Sequence, residues 1–202
     1  NRQNNDIVFL MNTEVVFANA FNHIDTVGPR ALTRLREHFG SYETAWHSGN
    51  SNFISALRDI APADDIASRR AIIDPATAYM RVEELAIALL LESDPVFPPR
   101  LREVTPTVAC IYIQGTLPIW DMPSLAVVGT RMPTAYGREA CRSLVGPIAA
   151  SGIPIISGLA VGIDTEAHKA CLSQKGKTIA VLGSGIARDS LYPAANKRLA
   201  DQ

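Results

Sequence analysis

The stretch from Leu125 to Lys177 decides the fold of this chain. It reads LAVVGTRMPTAYGREACRSLVGPIAASGIPIISGLAVGIDTEAHKACLSQKGK. It contains two short, fully apolar runs, residues 125–128 and 153–156, which end at small residues and are separated by a segment of helix length. Strands that are buried on both faces of a parallel sheet have this composition. The stretch therefore predicts a strand, a helix, a second strand, a Gly-rich loop and a second helix.

A third apolar run, residues 178–182, follows and ends at Gly183. The strand starts at residues 125, 153 and 178 recur every 25 to 28 residues, a spacing typical of a doubly wound sheet. Ligands of such sheets bind at the carboxyl ends of the strands, where loop amides and helix N-termini face solvent. We therefore expect an α/β fold with a ligand crevice at that edge.

The part of the chain before the sheet predicts short helices. Residues 7–20 are apolar without Gly or Pro, and residues 30–39 carry leucines at helical spacing before Gly40. Ser41 is a suitable N-cap for a third helix. A helix, a Gly turn and a helix of this size resemble the helix-hairpin-helix or SAM-like modules, in which hairpin amides can hold a DNA phosphate. Here Pro29 has no N–H, which favours a structural or protein-contact role.

The sequence between the helices and the sheet predicts a domain boundary. Residues 77–92 predict a helix with a broad apolar face, a Pro-rich connection follows, and residues 108–113 predict a strand. We place a helical module at residues 1–80 and the sheet domain at residues 81–202. Three or four strands are few for such a sheet, so we expect further chain after Gln202.

Composition points to an ordinary globular protein, with 47% apolar and 19% charged residues and no apolar run long enough to span a bilayer. We therefore expect no membrane association. The net charge of −1 is unevenly distributed along the chain. Residues 1–85 carry 8 Arg against 11 Asp and Glu, so the remaining residues, which include the predicted sheet, have a small positive net charge. The cysteines are odd in number, widely spaced and free of any C-x-x-C motif, as in a reduced, cytoplasmic protein: Cys110, Cys141 and Cys171.

The loop that follows the second predicted strand has the features of an anion site. Gly158 and Gly162 let the backbone turn and approach a ligand closely. Asp164 is a suitable N-cap for the next helix, which starts at Thr165. Exposed amides between the two glycines would form a concavity for a phosphate. The alternative is a tight strand–helix turn that holds no ligand.

The loop after the first predicted strand, residues 129–134, adds a full positive charge. Arg131 lies two residues beyond the strand, where its guanidinium would overhang the same crevice and grip a phosphate or stack on a base. The alternative is a solvated surface charge. Thr134 is the expected N-cap of a helix over residues 135–150.

Other chemistries find little support in the sequence. The run GSGIAR ends in Arg188 where the dinucleotide fingerprint needs a third glycine, so NAD is not expected. A catalytic pair of His168 and Asp164 lacks a Ser or Cys nucleophile in a recognisable elbow, and no metal-ligand cluster is visible. We interpret His168 as a helix residue satisfied by polar neighbours. No enzyme activity, cofactor or metal is predicted.

Three runs together resemble the DNA-processing protein A family, also called DprA or Smf. They are VVGTRMPTAYG at residues 127–137, IISGLAVGIDTEAHKACLSQKGKTIAVLGSGI at residues 155–186 and LYPAANKRLA at residues 191–200. The resemblance covers residues 94–201. It implies an extended Rossmann-like parallel sheet with helices on both faces, which binds single-stranded DNA without cutting it. It also implies protection of incoming DNA in natural transformation and loading of the RecA recombinase.

The resemblance carries functional residues onto the two loops, with Arg131 as the basic residue that grips the strand. The DNA-binding residues that we expect are Gly129, Thr130, Arg131, Thr134, Ser157, Gly158, Leu159, Ala160, Gly162, Asp164 and Lys169. The chain departs from the family at Val161, where Lys or Arg is common. The resemblance also implies a homodimer, formed through the C-terminal part of the full-length Rossmann domain. The family's Arg-Asn-Arg segment and much of the dimer surface would lie beyond Gln202.

Two rival functions remain at this point. Nucleotide-binding enzymes of the phosphoribohydrolase type use a similar sheet and phosphate pocket, but their P-G-G-x-G-T-x-x-E signature is absent here. A pure protein-interaction module would show no salt-dependent binding of DNA.

Overall fold

The computed structural model describes residues 12–116 and 122–202. The chain forms two compact units, Asn1–Leu117 and Pro118–Gln202. The start of the helix expected over residues 7–20 lies outside the described residues. The division into a module of residues 1–80 and a sheet domain stays a prediction.

From residue 12 onward, the described part of the first unit opens with six short helices. Predicted ends are confirmed at two of them: Gly40 has the left-handed φ of 80° that ends α2, and the Ser41 side chain accepts a hydrogen bond from Thr44 N at the start of α3. The helices are α1 Thr13–Asn22, α2 Pro29–Phe39, α3 Tyr42–His47, α4 Asn50–Leu57, α5 Ala63–Arg70 and α6 Pro75–Glu84.

Aromatic side chains form the centre of this helical unit. Phe21 is fully buried and stacks on Phe53 at 6.0 Å between ring centroids, while Trp46 meets the Phe21 ring edge-on at 4.8 Å. Each buried aromatic of this kind stabilises the fold by about 1.5 to 3 kcal/mol. The described helices of this unit are therefore held mainly by tertiary packing, since most are too short to be stable alone.

The helix predicted over residues 77–92 is wrong in its second half. Helix α6 ends at Glu84, Ala86 adopts a left-handed φ of 50°, and Ala88–Leu91 forms strand β1. This strand pairs antiparallel with β2, Cys110–Ile113, and the short helix α7, Pro99–Arg102, lies between them in sequence. The leucines of β1 are buried in succession, and such a run cannot be told from a buried helix by periodicity.

The second unit contains the expected parallel sheet, in the order β3-β4-β5. Leu125 pairs with Ile155, which pairs with Thr178 on the next strand. The elements are β3 Leu125–Ala126, α8 Ala135–Ala150, β4 Ile155–Ser157, α9 Ile163–Ser173 and β5 Thr178–Ala180. A 3-10 turn, Ala194–Asn196, leads into the last helix, α10 Lys197–Ala200. The α/β class is confirmed.

Helices α8 and α9 pack on one face of this sheet. Their side chains surround Ile155 of β4, and an ion pair of 2.7 Å joins Arg142 to Glu166. The buried core of this layer is Cys141, Val145, Ala149, Ile155, Ala167, Ala170 and Cys171. On the opposite sheet face Ala126, Val128 and Val181 are exposed. In the described ranges, none of the helices has the length and apolar character to cross a membrane.

Candidate anion-binding site

The loops after β3 and β4 are in direct contact. Gly162 has φ 93° and ψ −130°, and a Cβ on it would lie 2.3 Å from Thr130 O. Ile163 N donates a hydrogen bond of 3.1 Å to the same oxygen. Gly129 is also confined, because its Cβ would lie 2.7 Å from the Ile163 side chain. The structure thus brings the two glycines and Thr130 together at the carboxyl edge of the sheet.

Asp164 does not cap helix α9 as predicted. The N-cap is Gly162, and the Asp164 carboxylate instead accepts hydrogen bonds from Gly158 N at 3.1 Å and Ala160 N at 3.4 Å. The loop folds back over the helix start, so the carboxylate meets amides that precede it in the chain. Two of the amides expected to face a phosphate are therefore bound by a buried protein carboxylate.

Other donors at the site remain available. The backbone N–H groups of Arg131, Val161 and Gly162 have no hydrogen-bond partner within residues 12–116 and 122–202. The Arg131 side chain is exposed and makes no ion pair with any described residue. The positive end of the α9 dipole adds to these donors. These are the donors that an anion would meet at this edge of the sheet, which makes the loops a candidate anion site.

Two predicted site residues support the loop from inside. The Ser157 hydroxyl donates a hydrogen bond of 2.7 Å to Val127 O and so connects the end of β4 to the end of β3. The Leu159 side chain is buried, and its backbone has a left-handed φ of 56°. Neither side chain faces solvent, so only their backbone can take part in binding.

Asn196 is a residue of this site that sequence reasoning missed. Its Nδ2 lies 2.8 Å from Leu159 O, 2.8 Å from Thr165 Oγ1 and 3.2 Å from Ala160 O. The side chain reaches back 37 positions along the chain to the Gly-rich loop. The only sequence signal was its place in the run LYPAANKRLA, which does not indicate this contact.

The two remaining predicted residues lie at the margin of the site. Thr134 is confirmed as the N-cap of α8, because its Oγ1 accepts a hydrogen bond of 3.1 Å from Gly137 N. Lys169 is exposed on α9, about 9 Å along the helix from Ile163 at 1.5 Å per residue. The structure does not bring Lys169 to the loops.

His168 is buried on α9 and is only partly satisfied. Thr178 Oγ1 donates its one proton in a hydrogen bond of 2.9 Å to Ile155 O. The hydroxyl can therefore only accept from His168, so His168 Nδ1 carries a proton and donates to Thr178 Oγ1 at 2.7 Å. His168 Nε2 has no hydrogen-bond partner among the residues described. Burial lowers the pKa of His168, and the nearby Asp164 charge opposes this shift. No group able to hold a metal ion is found in the described part of the chain.

Known proteins resemble this chain in sequence and in fold. The sequence model of a family described as DNA recombination-mediator protein A matches residues 88–202. Protein Smf of Synechocystis sp. is 32% identical over 202 residues, which cover 96% of this chain and 49% of that protein. DNA processing protein DprA of Streptococcus pneumoniae is 40% identical over 108 residues, or 54% of this chain and 37% of that one.

A solved structure agrees with the sequence matches. The X-ray structure of DprA from Streptococcus pneumoniae superposes with a TM-score of 0.73 at 26% identity, over 92% of this chain and 63% of that chain. The chain spans about half the length of the Synechocystis protein.

Proposed function

The chain belongs to the DNA recombination-mediator protein A family, and on that premise we propose that its anion-binding site holds the backbone of single-stranded DNA. The family is one of recombination mediators rather than of enzymes, which leaves the phosphoribohydrolase alternative without support. The observation that carries the proposal is the contact between the loops, which places Arg131 beside the free amides of Val161 and Gly162.

The chemistry of these donors suits a phosphodiester. Arg131 supplies a full charge and a planar fork that can hold two phosphate oxygens. Backbone amides add partial charges that cost no side-chain entropy on binding. Val161 gives no second cation in this loop, so we assign most of the electrostatic attraction to Arg131.

Two exposed apolar side chains follow Arg131 in the chain, and they favour single strands over duplex. Met132 is 87% exposed and Tyr136, in the first turn of α8, is 82% exposed. Unpaired bases can stack on the Tyr136 ring and pack against the Met132 side chain, whereas duplex bases are already stacked within the helix. We expect each stacked base to contribute about 1 to 3 kcal/mol.

The wider role of the protein is also proposed from the family. A single-strand binder of this kind would protect incoming DNA during transformation and load RecA onto it. We propose a homodimer for the full-length protein, formed through its C-terminal part.

The test is fluorescence anisotropy with a labelled oligo-dT strand and with the matching duplex, over a series of salt concentrations. We expect tighter binding of the single strand. The logarithm of the binding constant should fall with the logarithm of the salt concentration, with a slope of about −0.7 for each phosphate contact. We expect a shallow slope, because few cations lie at the site. The matched control is Arg34→Ala, which removes an exposed arginine from α2 of the other unit and should leave binding unchanged. Equal affinity for duplex and single strand would contradict the proposal. A slope of the binding constant with salt as steep as about −6 would also contradict it, because it would require a larger basic surface than this site.

A further inference from the structure

One peptide unit in the Gly-rich loop is held at both of its ends. Asn196 Nδ2 donates to the carbonyl oxygen of Leu159 at 2.8 Å, and Ala160 N donates to the Asp164 carboxylate at 3.4 Å. This carbonyl and this N–H belong to the same planar peptide and point in opposite directions. The two side chains therefore fix the orientation of that peptide plane.

The backbone at this point needs such support. Leu159 has a φ of 56°, a left-handed conformation that costs energy for any residue with a Cβ. Strained conformations persist only where the surroundings hold them, and they concentrate at functional sites. The free amides of Val161 and Gly162 follow directly, so their direction depends on the Leu159 conformation.

Asn196 is itself held firmly in place. It is 5% exposed, and the buried residues Leu191 and Pro193 precede it. Tyr192 N donates 3.2 Å to Ser184 Oγ in the loop after β5. Thr165 Oγ1 donates a hydrogen bond of 2.7 Å to Ala160 O, and the same hydroxyl oxygen accepts a hydrogen bond from Asn196 Nδ2. The segment 191–196 thus connects the loops after β4 and β5.

We propose that Asn196 is a positioning residue for DNA binding, which holds residues 159–162 in the conformation that presents the free amides to a phosphate. The inference rests on the proposed function, and Asn196 acts through the loop rather than by touching DNA. The role needs an N–H donor, because its three neighbours within 3.2 Å are all oxygen atoms. An aspartate would place a charged oxygen against two carbonyl oxygens.

The variants Asn196→Ala and Asn196→Asp test this role. We expect Asn196→Ala to weaken oligo-dT binding about tenfold, the effect of losing one well-placed hydrogen-bonded contact. Asn196→Asp should weaken it further, since it adds repulsion within the loop. Amide hydrogen exchange at Ala160 and Ile163, whose N–H groups are bonded within the site, should become faster in both variants.

The matched control is Thr178→Val, which removes hydrogen bonds at the start of β5, away from the loops. It should destabilise the unit yet leave both oligo-dT affinity and loop exchange unchanged within about twofold at a temperature where all variants are folded. A parallel loss of binding in Thr178→Val would show that Asn196 acts through general stability, which overturns the inference.

The outcomes separate this inference from the proposed function. If Arg131→Ala loses binding while Asn196→Ala binds normally with unchanged exchange, the positioning role is overturned and the proposed function stands. If the unmutated protein fails to bind oligo-dT, the proposed function is overturned. The positioning role for DNA binding is then overturned as well. Faster amide exchange at Ala160 in the Asn196 variants would in that case show only that Asn196 fixes the loop conformation.

Discussion

Gly162 lies so close to Arg131 that a Cβ on the glycine would be 2.7 Å from the arginine Cα. The close neighbours are backbone atoms, which cannot move aside as a flexible side chain could. This contact makes the loop after β4 and the loop after β3 parts of one structure.

Gly162→Ala is therefore expected to be destabilising. The substitution meets a steric clash and a positive φ of 93° together, and we expect a loss of at least about 2 kcal/mol. Urea unfolding of the two proteins measures this loss. The control is Gly183→Ala, where a Cβ would meet nothing within 4 Å and the free energy of unfolding should change by less than about 1 kcal/mol. Equal effects of the two substitutions would argue against the contact.

Arg131→Ala is expected to weaken single-stranded DNA binding by roughly 1.5 to 3 kcal/mol, the range for a hydrogen bond to a charged group. Stability should change by less than about 0.5 kcal/mol, as for an exposed surface residue. Arg131→Lys should restore only part of the affinity, because a point charge lacks the planar fork. Anisotropy titrations measure all three proteins. Unchanged affinity in Arg131→Ala would move the DNA site away from this edge of the sheet.

Asp164→Ala should destabilise the second unit by about 1 to 3 kcal/mol, because Gly158 N and Ala160 N lose their acceptor. Asp164→Asn keeps one acceptor oxygen and should lose less. Thermal melts of the three proteins give the order. If Asp164→Ala melted like the unmutated protein, the carboxylate would not hold the loop, and any loss of DNA binding would point to direct contact.

His168 should make stability depend on pH. Its pKa is lowered from 6.5 by burial, so the folded state binds fewer protons than the unfolded state below that pH. Stability is therefore full above about pH 6.5 and falls as the pH drops, by at most about 1.4 kcal/mol per pH unit for one proton. Urea unfolding at pH 7.5 and 5.5 measures this. The difference between the two should shrink in His168→Gln, and a persistent difference would assign the effect to other groups.

Local signals allowed much of the fold to be predicted. Helix α8 has the predicted bounds and N-cap, and its start was predictable because the Thr134 side chain caps it through a contact within one turn. The parallel strands were predictable because each is a short apolar run that ends at a small residue. The error over residues 77–92 arose where a buried strand and a buried helix share one composition.

The site was predictable only in part, for a physical reason. Arg131 and the glycines stand at strand ends, so topology alone brings them to one edge. The partners of Asp164 and Asn196 depend on how the loop folds back, which no local pattern encodes. The long reach of Asn196 could be seen only in three dimensions.

The native thiols of this protein, of which Cys141 and Cys171 are buried and Cys110 is half-buried, offer a practical advantage for labelling. Burial raises the pKa of Cys110, Cys141 and Cys171, so little reactive thiolate forms at neutral pH. A cysteine placed at the exposed position of Met132 would react with a maleimide dye well before the native three. A single fluorophore beside the anion site can thus be introduced without first removing any natural cysteine.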